Sequence, residues 1–295
     1  MLLCSPHTHM QKNIAIINPE DFGFDLAVLA RKMGYKVTGV MVEDPERYRV
    51  LKDIYCFDSD GNARAYDTLI SAEHWEDAVW QLRKINPCAV ISGSEIAVEY
   101  TDRIASLLGL PCNNPETIPL RRNKIEMKRA VKNAGLPYAP GDTFSDFSEA
   151  AAFVRSSCGY PVVVKPVCGA GSTNVSFCKN EEEFAEAFSH VQKTPDAYLR
   201  RSQDVLVEEY ISGDEYVVNM IGTPDDVYVT DIWKYEKFGN DYSDCVYYND
   251  IMQDLYNPKF NELKEYAKKV YRAVGINIGP AHAEIKLSKT GPVMI

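Results

Sequence analysis

The chain has no CxxC pair, no long apolar run, no excess of basic residues and no glycine triplet of the kind that opens a dinucleotide site. Each absence removes a class of protein. Its eight cysteines stand singly at Cys4, Cys56, Cys88, Cys112, Cys158, Cys168, Cys178 and Cys245, a pattern that makes neither a zinc ribbon nor a disulfide framework and suits reduced thiols in a cytoplasm. Nothing reads as a membrane span or a secretory leader, so the acceptor triplet Asn174-Val175-Ser176 is discounted. A formal net charge of -10 argues against nucleic acid as the main partner, because such partners call for a basic footprint; a small anion in a local basic cleft remains compatible.

What is present is ordinary in bulk: 295 residues, 45% hydrophobic and 25% charged, enough for two or three domains with cores of their own. His7 and His9 lie in a polar lead-in, and two histidines cannot close a metal shell. The pattern then predicts a strand over 13–18, a helix through Leu26, Leu29, Ala30 and Met33 that ends at Gly34, and a strand over 35–42. This β-α-β start implies an open parallel sheet. Its first turn holds one glycine, Gly23, so no NAD site is indicated. Asp21-Phe22-Gly23 spells the kinase metal motif, but no catalytic or phosphate loop precedes it. A helix over 72–85, a strand over 89–92 and a helix over 98–108 follow. Glu95, just past the carboxyl end of that strand, stands where open α/β sheets bind ligands, although a loop glutamate is by default simply solvated.

A Pro/Asn cluster over 110–115 marks a boundary. Beyond it a basic helix is predicted over 121–134, with Lys124 near its start, and another over 147–156. Residues 160 to 175 then read YPVVVKPVCGAGSTNV. The β-branched run suits a buried strand, Pro166 stops it, and Lys165 is held at its end. A lysine on so apolar a run is costly unless an anion answers it, and the following Gly/Ser/Thr loop offers backbone N–H groups to phosphate. The plain alternative is a lysine snorkelling to solvent beside an ordinary turn. A strand over 174–178 and an acidic helix from Glu181 to about Val191 complete this unit. Downstream, the apolar run 205–207 leads into Glu208 and Glu209, and a hairpin is predicted about Gly213 between that run and a strand over 216–221. A third strand is expected over 225–235. The long polar loop 236–258, with Lys234 and Lys237 at its entrance, suits a lid. A helix over 260–274 precedes GPAHAEIKL, whose alternation puts His282 and Glu284 on one strand face.

The stretches NKIEMKRAVKNAGLP, YPVVVKPVCGAGSTNV, VLVEEYISGDEY and GPAHAEIKL resemble, in this order, the ATP-grasp superfamily, and their wording is similar to the carboxylate–amine ligases of the L-amino-acid ligase group. The resemblance covers the chain from about residue 113 to the end. It implies an α/β (α+β) fold in three parts: an N-terminal open parallel-sheet domain over 1–113, a central subdomain with the phosphate loop over 114–193, and an antiparallel C-terminal subdomain over 194–295. It also implies roles. Lys124 and Lys165 would hold the nucleotide phosphates, and Gly169, Ala170, Gly171, Ser172 and Thr173 would fold over them. Glu208 would meet the adenine amino group, Glu209, Tyr210 and Ile211 would belong to the adenine rim, and Glu215 would bind the ribose hydroxyls. Glu284 would bind Mg2+, with Mn2+ as a substitute, and His282 would touch the substrate or the transferred phosphate; Glu95 is a further catalytic candidate.

The implied reaction activates a carboxylate with ATP as an acylphosphate, which an amine then converts to an amide with release of ADP and phosphate. Partners would be small-molecule carboxylates and amines, amino acids foremost, with a homodimer admitted and no nucleic acid or membrane involved. Lys165→Ala is expected to abolish ADP formation with little loss of folding. Two alternatives stand beside this reading: a nucleotide-binding module without catalysis, and an ATP-grasp enzyme of the carboxylase or purine-biosynthesis type. The family pattern also carries a second magnesium carboxylate, an asparagine and an arginine just beyond the strand that here reaches Ile295. Their absence leads to the expectation of a C-terminally truncated polypeptide, inactive by itself.

Overall fold

The structure is a computed structural model in which residues 12–19, 22–43, 65–169, 172–195, 202–237 and 247–295 are described. The chain divides into two compact units, Met1–Pro115 and Glu116–Ile295.

The first unit holds four parallel strands, β1 (Asn13–Ile17), β2 (Lys36–Val42), β3 (Thr68–Ala72) and β4 (Ala89–Ser92), in the order β3-β2-β1-β4. Their sequences are largely apolar because helices cover both faces of the sheet. Ile14, Ile16 and Val37 face Ala27 and Ala30 of helix α1 (Phe22–Lys32), while Ala15, Ile17, Val40 and Val42 face Leu82 of α2 (Trp75–Ile85) and Ile104 of α3 (Val98–Leu107). Both faces are therefore buried. Gly23 serves a close backbone approach: its N–H donates to the Gly93 carbonyl at 2.9 Å, and a Cβ on it would come within 2.9 Å of the Gly93 Cα. The helix expected from residue 72 starts only at Trp75, because Thr68–Ala72 forms the edge strand β3 beside β2.

The second unit contains two antiparallel sheets. The four-stranded one has the order β5-β8-β6-β7, from β5 (Gly141–Phe144), β6 (Val162–Pro166), β7 (Ser176–Cys178) and β8 (Val205–Glu209). Val162, Val164, Val205 and Val207 face a core with Phe184 and Phe188 of helix α7 (Glu181–Lys193) and Ala150 and Ala151 of α6 (Phe147–Phe153). Burying each such aliphatic or aromatic side chain stabilises by about 1.5–3 kcal/mol. By the two-residue period, Lys165 and Glu208 fall on the opposite face of the same strands.

The five-stranded sheet has the order β11-β10-β9-β12-β13, built from β9 (Asp214–Gly222), β10 (Val227–Lys237), β11 (Tyr247–Met252), β12 (Gly279–Ser288) and β13 (Gly291–Met294). Tyr216, Val218, Met220, Ile232 and Ile285 pack on Leu263, Ala267 and Val270 of helix α8 (Asn261–Ala273). The other face carries the polar set. Cross-strand register aligns Lys286, Glu215 and Tyr235 in one row, Glu284, Val217 and Trp233 in the next, and His282, Asn219 and Asp231 in a third.

Three expectations change. Strands β8 and β9 do not make a hairpin: β8 pairs with β5 and β6, whereas β9 pairs with β10 and β12. Gly213 hands the chain from one sheet to the other at φ +148, against the Leu287 carbonyl, where a Cβ would collide. The single basic helix is two, Pro119–Arg122 (α4) and Lys124–Asn133 (α5), because Asn123 leaves helical geometry and its Oδ1 caps Ile125 and Glu126 at 3.1 and 3.3 Å. Part of the expected loop 236–258 is the strand β11, paired with β10. Its residues 238–246 lie outside the described residues, as do His7, His9, Asp21, Cys4, Cys56 and Cys245. Cys88, Cys112, Cys158, Cys168 and Cys178 are free thiols. Among the described residues no helix is long and apolar enough to cross a membrane.

Candidate functional site

On the face opposite that core, where Leu206 packs on Ile125 of α5, the four-stranded sheet is organised by one buried carboxylate. Glu208 is 2% exposed; its Oε1 lies 2.7 Å from Lys165 Nζ and its Oε2 2.6 Å from Lys128 Nζ. The Lys128 contact is a close ion pair without hydrogen-bond alignment. Burial works against the Glu208 charge, but the two ammonium groups outweigh it and bring its pKa down to about 2. Burial lowers the Lys128 pKa, with Lys165 adding to the effect and Glu208 opposing it. One carboxylate thus serves two cations, and the cluster keeps net positive charge.

Lys124 adds a third. As the first residue of α5, it donates its backbone N–H to the Val167 carbonyl at 3.0 Å and its Nζ to the Gly169 carbonyl at 2.9 Å. The helix start therefore grips the ascending limb of the glycine loop. Burial, then the charge of Lys165, brings the Lys124 pKa down to about 8, while Cys168 and Glu284 oppose the shift. Such a lysine gains from an added anion more than a solvated one does. Gly169 and Ser172 both have positive φ, +128 and +55. The descending limb is fixed by Asn174, which donates to the Pro195 carbonyl at 3.0 Å and bonds His190 Nε2 at 3.2 Å. Ala170 and Gly171 lie outside the described residues.

The link from β8 to β9 carries Tyr210 and Ile211. The Tyr210 ring meets Phe177 edge to face, centroids 4.5 Å apart, and Lys286 Nζ sits 4.2 Å from the Tyr210 centroid. Glu215 is buried at the start of β9, and Lys237 Nζ pairs with its Oε2 at 2.8 Å. Glu284 is half-buried on β12. Tyr235 is raised to about 12 by burial and then by Glu284, Asp250 and Glu215, so its phenol stays protonated among carboxylates. Among the described residues no three or more His, Cys, Asp and Glu gather into a metal cage. Glu284 supplies a single carboxylate, which by itself is a poor magnesium site; an ion held there would have to take most of its ligands from phosphate and water. His282 is exposed on the same face, with Nδ1 2.9 Å from Asn219 Oδ1.

Of the sequence candidates, Lys124, Lys165, Gly169 and Glu208 come together directly. Glu209 ends β8, Tyr210 and Ile211 follow as the link out of that sheet, and Glu215, His282 and Glu284 share a face of the other. Glu95 is an exposed loop residue of the first unit, after β4. The sequence reading missed Lys128 and Lys286. The signal for Lys128 was its place in the three-residue repeat Ile125-Lys128-Val131, the buried stripe of α5.

The fold and this site define a mixed α/β protein in which two antiparallel sheets each pack one apolar face on helices and carry charged residues on the other. Residues 158–295 match the family described as ATP-grasp domain. Dapdiamide A synthase of Enterobacter agglomerans is 27% identical over 234 residues, 79% of this chain and 55% of that protein. The crystal structure of an L-amino acid ligase from Bacillus licheniformis superposes with a TM-score of 0.73 at 22% identity, covering 97% of this chain and 66% of the other. The biotin carboxylase domain of a 2-oxoglutarate carboxylase from Hydrogenobacter thermophilus, crystallised with MgADP and bicarbonate, superposes at 0.71 with 19% identity, covering 96% and 63%. At such identities the solved structures establish the shared fold. The chain spans about half the length of the curated relative it matches over the longest stretch of those named here.

Proposed function

We propose that this chain is the nucleotide-handling part of an ATP-dependent carboxylate–amine ligase, which joins two amino-acid-like substrates through an acylphosphate and releases ADP and phosphate. The observation that carries the reading is the buried Lys128–Glu208–Lys165 cluster, with Lys124 gripping the adjoining glycine loop. Two lysines on one carboxylate, with a third at the adjoining loop, offer positive charge to a polyanion.

In this reading Lys165 and Lys124 bind the phosphates, and Gly169, Ala170, Gly171, Ser172 and Thr173 cover them. Glu208, with a lysine on each oxygen, has as its first task the placement and charge of Lys165. Glu209 at the end of β8, with Tyr210 and Ile211 of the link, offers backbone groups and an aromatic wall to the purine, and Glu215 is the acceptor for ribose hydroxyls. Glu284 would hold magnesium, which supplies charge neutralisation at the phosphates when bound. As the substrate carboxylate attacks the γ-phosphate, lysines and loop amides meet the transferring charge; each such donor is worth about 3 kcal/mol. Loop closure keeps water from the acylphosphate until the amine arrives. A coupled ADP assay of the full-length protein against an amino-acid panel tests the reading: amine-dependent ADP release is expected, and no release with any pair counts against it.

A further inference from the structure

Beyond the lysine cluster, the five-stranded sheet carries a directional hydrogen-bond chain. Asp231 Oδ1 accepts from Trp233 Nε1 and from Asn219 Nδ2, both at 2.6 Å, and its Oδ2 accepts from Thr230 Oγ1 at 2.9 Å. Burial opposes the Asp231 charge, yet these three donors hold its carboxyl below the usual carboxylate range. An ionised carboxylate only accepts. Asn219 must then turn its amide nitrogen toward Asp231 and its oxygen toward His282, 2.9 Å from Nδ1. An amide oxygen also only accepts, so Nδ1 carries the ring hydrogen of His282.

We infer that Asn219 and Asp231 are positioning residues which hold His282 as its Nδ1–H tautomer, so that Nε2 presents a lone pair to an N–H group of the incoming amine. This rests on the ligase reading above. His282 lies two positions from Glu284 on the same face of β12, about 6.8 Å along the strand, next to where the carboxyl group would be activated. A lone pair there suits an amine and gives nothing to a phosphate or carboxylate oxygen, which need a donor. The inference therefore chooses between the two contacts expected for His282.

The test is ring-15N histidine labelling of the chain, read at a pH where imidazoles are neutral, with His282→Gln assigning the resonance among the five histidines. The native protein is expected to show Nδ1–H at His282. Asn219→Leu should return it to the Nε2–H form that free imidazole favours in water. Asp231→Asn, which preserves shape, should let the chain reverse and populate Nε2–H. Nε2–H in the native protein, or a tautomer indifferent to both substitutions, overturns the inference. In the ADP assay Asn219→Leu should raise the KM for the amine about tenfold and leave that for ATP alone; an unchanged amine KM also overturns it. Failure of the ligase reading looks different: native protein releases no ADP, while the tautomer is measured all the same.

Discussion

Lys165 and Glu208 meet 2.7 Å apart on neighbouring antiparallel strands, each projecting from the face opposite the valines that build the core. The relationship follows from strand alternation, and it makes a stability element and a ligand element of the same two residues. With Lys128 on the second oxygen, removing the carboxylate strands two cations, while removing one lysine leaves a pair.

Glu208→Gln is therefore expected to destabilise the protein by about 3–5 kcal/mol, and Lys128→Met by less. Urea unfolding of both variants checks the order. Equal stability of Glu208→Gln and the native chain would remove the carboxylate from its central place.

The same ion cluster gives an acid limb. Glu208 has its pKa lowered from 4.5 to about 2 in the folded state, so the native state binds its proton less readily than the unfolded one. Its contribution is complete above about pH 4.5 and is lost as pH falls toward 2. Thermal scans across that range should show stability falling more steeply in the native chain than in Glu208→Gln.

Lys124 titrates in the other direction. With its pKa lowered from 10.5 to about 8, the native state sheds a proton that the unfolded state keeps, so stability attributable to this group rises with pH between those values. Bound phosphate should restore the charged form. Calorimetric titration with ATP near pH 8, in buffers of different ionisation enthalpy, should register proton uptake that disappears in Lys124→Met.

Tyr266 joins separate segments of the second unit: its hydroxyl donates to the Pro137 carbonyl at 2.5 Å and accepts from the Met294 N–H at 2.8 Å. Tyr266→Phe leaves that N–H without its partner and should cost about 1–3 kcal/mol, measured as a lower urea midpoint with unchanged slope.

Strands β1, β2 and β4 were legible as short, largely apolar runs bounded by turn residues, whereas the half-exposed edge strand β3 was not. Motif order singled out Lys124, Lys165, Gly169 and Glu208, which the fold brings into contact in pairs. Lys128 was not legible, since a buried lysine in a helix spelled KIEMKRAVKN looks like a solvated one until its partner strand is in place. The supposed hairpin at Gly213 misled for a related reason. Local turn chemistry fixes that the chain bends, but only long-range pairing decides that β8 and β9 join different sheets. The same pairing revises the expectation for Lys165→Ala, which now removes a buried counter-ion and should lower stability as well as activity.

The central claim is that the Lys165 end of β6 binds the phosphates of ATP. Equilibrium binding of MgATP to the native chain and to Lys165→Met, with folding of each verified by circular dichroism, tests it most directly. The account predicts binding by the native chain and at least a roughly tenfold loss in the variant, the effect of one charge-assisted contact. Equal affinity in two folded proteins, or no binding by the native chain, would contradict it.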